Sequence, residues 1–125
     1  MPALLTAAEA ARSYLAAWNA DDADARFAAL IEGALESVVL LDPHARLPLD
    51  GRGALAAHIA HVRLSGVRHV DATSELQEHH GVLRFTWRMR DGDGVMATGL
   101  TIAERFVEGG DADGRIARLI HFVDE

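Results

Sequence analysis

The hydrophobic period of this chain changes once, near Val67, and that single switch limits what it can fold into. Before it, apolar residues recur three and four apart; after it, they alternate. Thr6-Ala7-Ala8-Glu9 forms a capping box, in which the Thr hydroxyl and the Glu carboxylate satisfy each other's backbone N–H groups, so a helix starts there. Ala8, Ala11, Leu15 and Trp18 follow at helical spacing with Tyr14 on the same stripe, and Tyr14 is expected to face inward. Asp22 and Asp24 open a second helix, expected to bury Phe27, Leu30, Ile31 and Ala34 and to end near Gly33. Gly53 to Ser65 reads as a third helix with Leu55, Ile59 and Val62 inward, stopped by Gly66.

Beyond Val67 three alternating sets stand out: Val70-Ala72-Ser74-Leu76, Leu83-Phe85-Trp87-Met89 and Met96-Leu100-Ile102-Phe106. "EHHG", "DGDG" and "EGGDADG" are the turns, and Arg115 to Val123 is the last strand. Helices followed by hairpin-linked strands describe an α+β domain, with three N-terminal helices packed on one face of an antiparallel sheet. The last strand is apolar on both sides, Leu119 and Val123 against Ile116, Ile120 and Phe122. Ala97, Gly99 and Ala103 are expected on the outer side of its neighbour, and an outer face so poor in polar groups implies a homodimer.

One stretch, "SVVLLDPHARLPLDGRG", places a carboxylate at the end of an apolar strand. Val38, Leu40 and Asp42 share one face there, Val39 and Leu41 the other. Asp42 is either a turn residue that bonds its own backbone before Pro43 or a base aimed into an apolar pocket, where lost solvation raises its proton affinity. Composition excludes several rivals. With 125 residues the chain fits one domain, 1–125, and its net charge of −7 disfavours nucleic acid. It has no cysteine, hence no disulfide, thiolate metal site or cysteine nucleophile. The N-terminal stretch lacks a basic leading region and carries Glu9 and Arg12, so it reads as a folded helix. No run approaches the roughly 18 apolar residues of a membrane span, and a cytoplasmic protein without membrane partners is expected.

"YLAAWNADDADA" on the first helices, "LLDP" closing the first strand, "LDGRGAL" opening the third helix and "GRIARLIHF" closing the sheet together resemble the nuclear transport factor 2-like superfamily, nearest its SnoaL-like and ketosteroid isomerase-like branches. The resemblance spans nearly the whole chain. It implies a curved sheet closed by the helices around a cone-shaped apolar pocket, the cystatin-like α+β roll, usually in a dimer. In the isomerase branch an Asp-Pro pair after the first strand supplies the base and a Tyr on the first helix binds the developing enolate oxygen; Asp42-Pro43 and Tyr14 match these. The same branch places a protonated Asp on the penultimate strand, where this chain has Thr101 or Ile102, depending on register.

The candidate catalytic residues are therefore Asp42, Tyr14 and His121. Tyr14 is otherwise a core aromatic with a satisfied hydroxyl, and His121, in phase with Leu119 and Val123, is either a proton relay or a structural histidine. Candidate pocket residues from the helices and first strand are Trp18, Val38, Leu40, His58 and Ile59. From the later strands they are Phe85, Trp87, Met96, Ile102 and Leu119, though such a stripe is equally ordinary core. His58 and His61 share a helix face, but no ligand cluster has metal spacing, so neither metal nor cofactor is expected. The function that fits is proton transfer, isomerase-like or cyclase-like, on a hydrophobic carbonyl-bearing small molecule. The alternative is a non-catalytic dimeric ligand-binding or scaffold module.

Overall fold

The computed structural model describes residues 4–124, so the expected 1–125 domain extends at both ends into residues outside that range. Helix α1 (Ala7–Asn19) starts at the capping box, with the Thr6 hydroxyl accepting from the Glu9 N–H at 3.1 Å and the Glu9 carboxylate accepting from the Thr6 N–H at 2.9 Å. Helix α2 (Ala23–Gly33) is capped by Asp22, which accepts from the Ala25 N–H. Strand β1 (Ala34–Leu41) follows directly, then the two-residue β2 (Leu49–Asp50) and helix α3 (Gly51–Leu64). The C-terminal half holds β3 (His69–Ala72), β4 (Gln77–His79), β5 (Val82–Arg90), β6 (Val95–Arg105) and β7 (Ile116–Val123).

These strands form one curved, unclosed sheet in the order β2-β1-β7-β6-β5-β3, with β4 also on β5. The helices cover one face. Most pairs are antiparallel, but β1 runs parallel to β7, so the sheet is mixed rather than antiparallel throughout. Alternation identifies strands without fixing their partners, and the free edge of β7 takes β1 across a long crossover. The expected strand from Val70 to Leu76 stops at Ala72 as β3, and β4 begins only at Gln77; both pair with β5.

The buried core joins Ala10, Tyr14, Ala17 and Trp18 of α1 to Leu55 and Ile59 of α3 and to Val38, Leu40, Phe85, Trp87 and Leu119 of the sheet. Two expected faces are corrected. Helix α2 buries Leu30 and Arg26, while Phe27 and Ile31 are 41% and 46% exposed. The Arg26 guanidinium donates from one terminal nitrogen to the Ala20 carbonyl at 2.9 Å, while its Nε–H is buried without a partner. On β6 the inward residues are Gly99, Thr101 and Ala103, and Ile102 with Leu100 faces out.

The cause on β6 is size. Trp87 pairs across the ladder with Gly99, and a Cβ at 99 would collide with the Trp87 six-membered ring and the Phe122 carbonyl. Large rings on β5 thus require small neighbours on β6. The two-sided last strand is resolved as well: Leu119 and His121 are buried, and Phe122 is 52% exposed on the outside. Among the described residues no helix is long and apolar enough to cross a membrane.

Candidate functional site

Three elements converge on His121. β7 turns its ring inward between α1 and the end of β1, in phase with Leu119. From α1, the Tyr14 hydroxyl lies 2.5 Å from His121 Nε2. From the end of β1, Asp42 Oδ2 lies 3.0 Å from His121 Nδ1. The result is one buried hydrogen-bonded chain, Asp42–His121–Tyr14, built from residues 107 and 79 positions apart in sequence. Trp18 and Trp87 pack against the imidazole with ring centroids 6.1 and 6.3 Å away.

The two oxygens of Asp42 have separate partners, and the first fits the turn reading. Oδ1 accepts from the His44 N–H at 2.8 Å and closes the turn through Pro43, as a loop-initiating Asp does. Oδ2 serves His121 and also lies 3.4 Å from Nε2 of His58 on α3. That distance exceeds a good hydrogen bond, and His58 Nε2 is buried with no hydrogen-bond partner. His58 therefore stands beside the carboxylate, its ring edge-on to Trp18, rather than in the interior cavity.

The electrostatics reverse one expectation. Burial by itself pushes the Asp42 carboxyl upward, but the hydrogen bond from His121, the His58 ring nitrogen beside it and the His44 N–H, with the attraction of His121, hold it well below the usual carboxylate range. Asp42 is thus a firmly ionised anchor instead of a carboxylate with raised proton affinity. Burial, reinforced by the Asp42 charge, drives the Tyr14 phenol far above its ordinary value, and the nearby Trp18 side chain only partly opposes this. Tyr14 is accordingly neutral at rest. With Asp42 Oδ2 accepting from His121 Nδ1–H, Nε2 is the ring nitrogen left to accept from the Tyr14 O–H.

Tyr14 and His121 border an interior cavity whose other walls are Leu15, Trp18, Val70, Phe85, Trp87 and Thr101. Its volume is about 10 Å³, room for one water molecule. Trp87 is also a wall of a second hollow of about 200 Å³, nearer the surface, formed with Val62, Val67, Met89, Met96 and Val123 and rimmed by His44. A third hollow, about 350 Å³, lies under the loop after β1, and Asp42 and His121 line it together with Ile120 and Phe122.

The sequence-derived pocket residues therefore separate into groups. Trp18, Phe85 and Trp87 line the interior cavity, and Met96, 42% exposed, lines the outer hollow. Val38, Leu40, Ile59 and Leu119 are fully buried packing beneath the site. Ile102 is on the outer face, and Thr101, 1% exposed, holds the inward position where the resemblance implied an acid.

Two positioning contacts had no sequence signal. Asn19 exchanges hydrogen bonds with the Val70 backbone at 2.7 and 2.8 Å, and Arg63 donates to the Trp18 carbonyl at 2.6 Å, tying the end of α1 to β3 and α3. Among the described residues, no three His, Asp or Glu side chains are placed to hold a metal ion.

No protein-family model matches the chain, and no curated protein sequence does. Solved structures do. A provisionally named isomerase of the SnoaL-like family from Agrobacterium tumefaciens is 27% identical, with 93% of this chain and 95% of that one covered and a TM-score of 0.78. A provisionally named SnoaL-like polyketide cyclase from Jannaschia sp. is 15% identical over 94% of this chain and 84% of its own, at a TM-score of 0.69. A nuclear transport factor 2-like protein of unknown function from Cytophaga hutchinsonii is 10% identical over 99% and 95%, at 0.67.

Proposed function

We propose that this chain, whose fold is that of the nuclear transport factor 2-like superfamily, is a cofactor-independent acid/base enzyme that moves a proton on an apolar carbonyl compound, in an isomerase-like or cyclase-like reaction. The observation that carries this is the buried chain Asp42–His121–Tyr14, at 3.0 and 2.5 Å, ending at the interior cavity. A carboxylate that fixes an imidazole tautomer and stabilises the imidazolium is the arrangement that makes a histidine an effective base.

The roles follow from the proton inventory. Asp42 accepts from Nδ1–H and is not among the walls of the interior cavity that Tyr14 borders, so in this reading it is a positioning residue. Tyr14 oxygen receives the proton leaving a carbon next to the substrate carbonyl while passing its own to His121 Nε2. The phenol is too weak an acid in this setting to stand as phenolate, so both transfers occur together. The imidazolium, paired with Asp42, then returns a proton through Tyr14 to another atom of the enolate. Base and acid are one relay, which suits a reaction that shifts a proton without net gain or loss.

The test is exchange. In D₂O a panel of apolar enolisable ketones should lose α-protons faster with the protein than in buffer. His121→Gln and Tyr14→Phe should each lower that rate about 10²–10⁴-fold. No acceleration with any ketone would sink the assignment. The non-catalytic ligand-binding or scaffold module has one observation in its favour, the 10 Å³ interior cavity, which holds no substrate as it stands. In either case we place a homodimer contact on the outer sheet face, where Phe122 is 52% exposed beside Ile120 and Ile102.

A further inference from the structure

Trp87 is the one side chain shared by the interior cavity and the outer hollow, and it is chemically incomplete. Its ring is 4% exposed, and its indole Nε1–H is buried without a hydrogen-bond partner. A buried donor left unpaired is costly, and native structures seldom keep one without a use. The ring lies against Gly99, where any larger residue would displace it, so the backbone of β6 is shaped to hold the indole in this place. Apart from His44 and Ser65 the walls beside the indole are apolar, Val62, Val67, Met89, Met96 and Val123 among them, and they leave about 200 Å³. A dry apolar cavity of roughly 150 Å³ accepts benzene, whereas drug-sized ligands need about 300 Å³ or more.

We propose that the outer hollow is the substrate's apolar subsite, sized for a compound of one ring, and that the Trp87 N–H binds its carbonyl oxygen. This rests on the proton-transfer site described above for the identity of the oxygen-bearing end, and it narrows the substrate to single-ring carbonyl compounds, excluding fused polycycles. Trp87 would then supply a hydrogen bond to the developing enolate oxygen, on a chain whose inward β6 residue is the hydroxyl of Thr101 rather than an acid. Trp87 walls both spaces, so a ligand in the outer hollow lies against the same ring that borders the Tyr14 cavity.

The experiment is an NMR titration of the full chain with three probes: acetophenone, ethylbenzene and androst-4-ene-3,17-dione. The sequence holds two tryptophans, so ¹⁵N labelling gives two indole N–H signals, assigned by the loss of one in Trp87→Phe. Acetophenone and ethylbenzene should both perturb the Met89 and Met96 methyls, and acetophenone alone should move the Trp87 N–H downfield. Trp87→Phe should weaken acetophenone about three- to tenfold more than ethylbenzene, the worth of one neutral hydrogen bond.

An unmoved Trp87 signal when the methionine methyls are saturated would overturn the proposal. So would methionine methyls that ignore both single-ring probes, or the steroid binding as tightly as acetophenone. The α-proton exchange of acetophenone, read in the same samples, separates the two claims. Binding at Trp87 without exchange refutes the relay and keeps the subsite, whereas exchange with a silent Trp87 refutes the subsite and keeps the relay.

Discussion

Replacing Asp42 by Asn decides whether this carboxylate stabilises the fold or burdens it. A buried charge without adequate partners would be relieved by the amide, and the variant would be as stable as the parent or more so. The structure gives the opposite sign, because Oδ1 accepts from the His44 N–H at 2.8 Å and Oδ2 from His121 Nδ1 at 3.0 Å. Each bond to an ionised acceptor contributes about 1.5–3 kcal/mol. Asn keeps the His44 bond at neutral strength and loses the His121 bond, while the relieved burial returns part of that. A net loss of about 2 kcal/mol follows, which for a domain of this size lowers Tm by about 8 °C. The folded carboxyl is held below its usual range, so its stabilisation is complete above the unfolded value near pH ~4 and is lost as pH falls through the folded one. Thermal melts of both proteins should therefore show a Tm gap that is constant well above pH ~4 with respect to this group and narrows below it. An Asn variant melting at or above the parent at neutral pH, or a gap that persists into strong acid, refutes the reasoning.

Tyr14→Phe leaves His121 Nε2 buried without its partner; we expect about 1–2 kcal/mol of lost stability by denaturant titration and the 10²-fold or greater loss of exchange given above. Gly99→Ala forces a methyl into the Trp87 ring and the Phe122 carbonyl, and should cost about 3 kcal/mol, with the two indole NMR signals showing the displacement of Trp87. Phe122→Asp puts a charge on the exposed outer face of β7, so sedimentation should show a dimer in the parent and a monomer in the variant at micromolar concentration; a monomeric parent removes the dimer.

The features legible in the sequence were those written in local chemistry. The Thr6 to Glu9 capping box, the inward phase of Tyr14 on α1 and the Asp-Gly turn between β5 and β6 each depend on residues within one turn or one hairpin. What was lost depended on partners distant in sequence. β6 was read with its large residues inward because alternation favours them, yet its small face is inward because Trp87 of β5 occupies the space above Gly99. Likewise the parallel pairing of β1 with β7 joins residues such as Leu40 and Leu119, whose alternation is the same in either direction.

The site followed the same division. Asp42, Tyr14 and His121 were each nominated separately, but their roles could not be, since a role depends on which atom of one meets which atom of another. Given only an apolar strand before it, Asp42 reads as a desolvated base; given His121 and His44 as donors, the carboxyl is held below its usual range instead. His58 stands 3.4 Å from the oxygen that already serves His121 and leaves the shorter bond in place. In the proposed relay a carboxylate that stays ionised whichever way the Tyr14 proton points would let one imidazole serve as base in one half of a turnover and acid in the other.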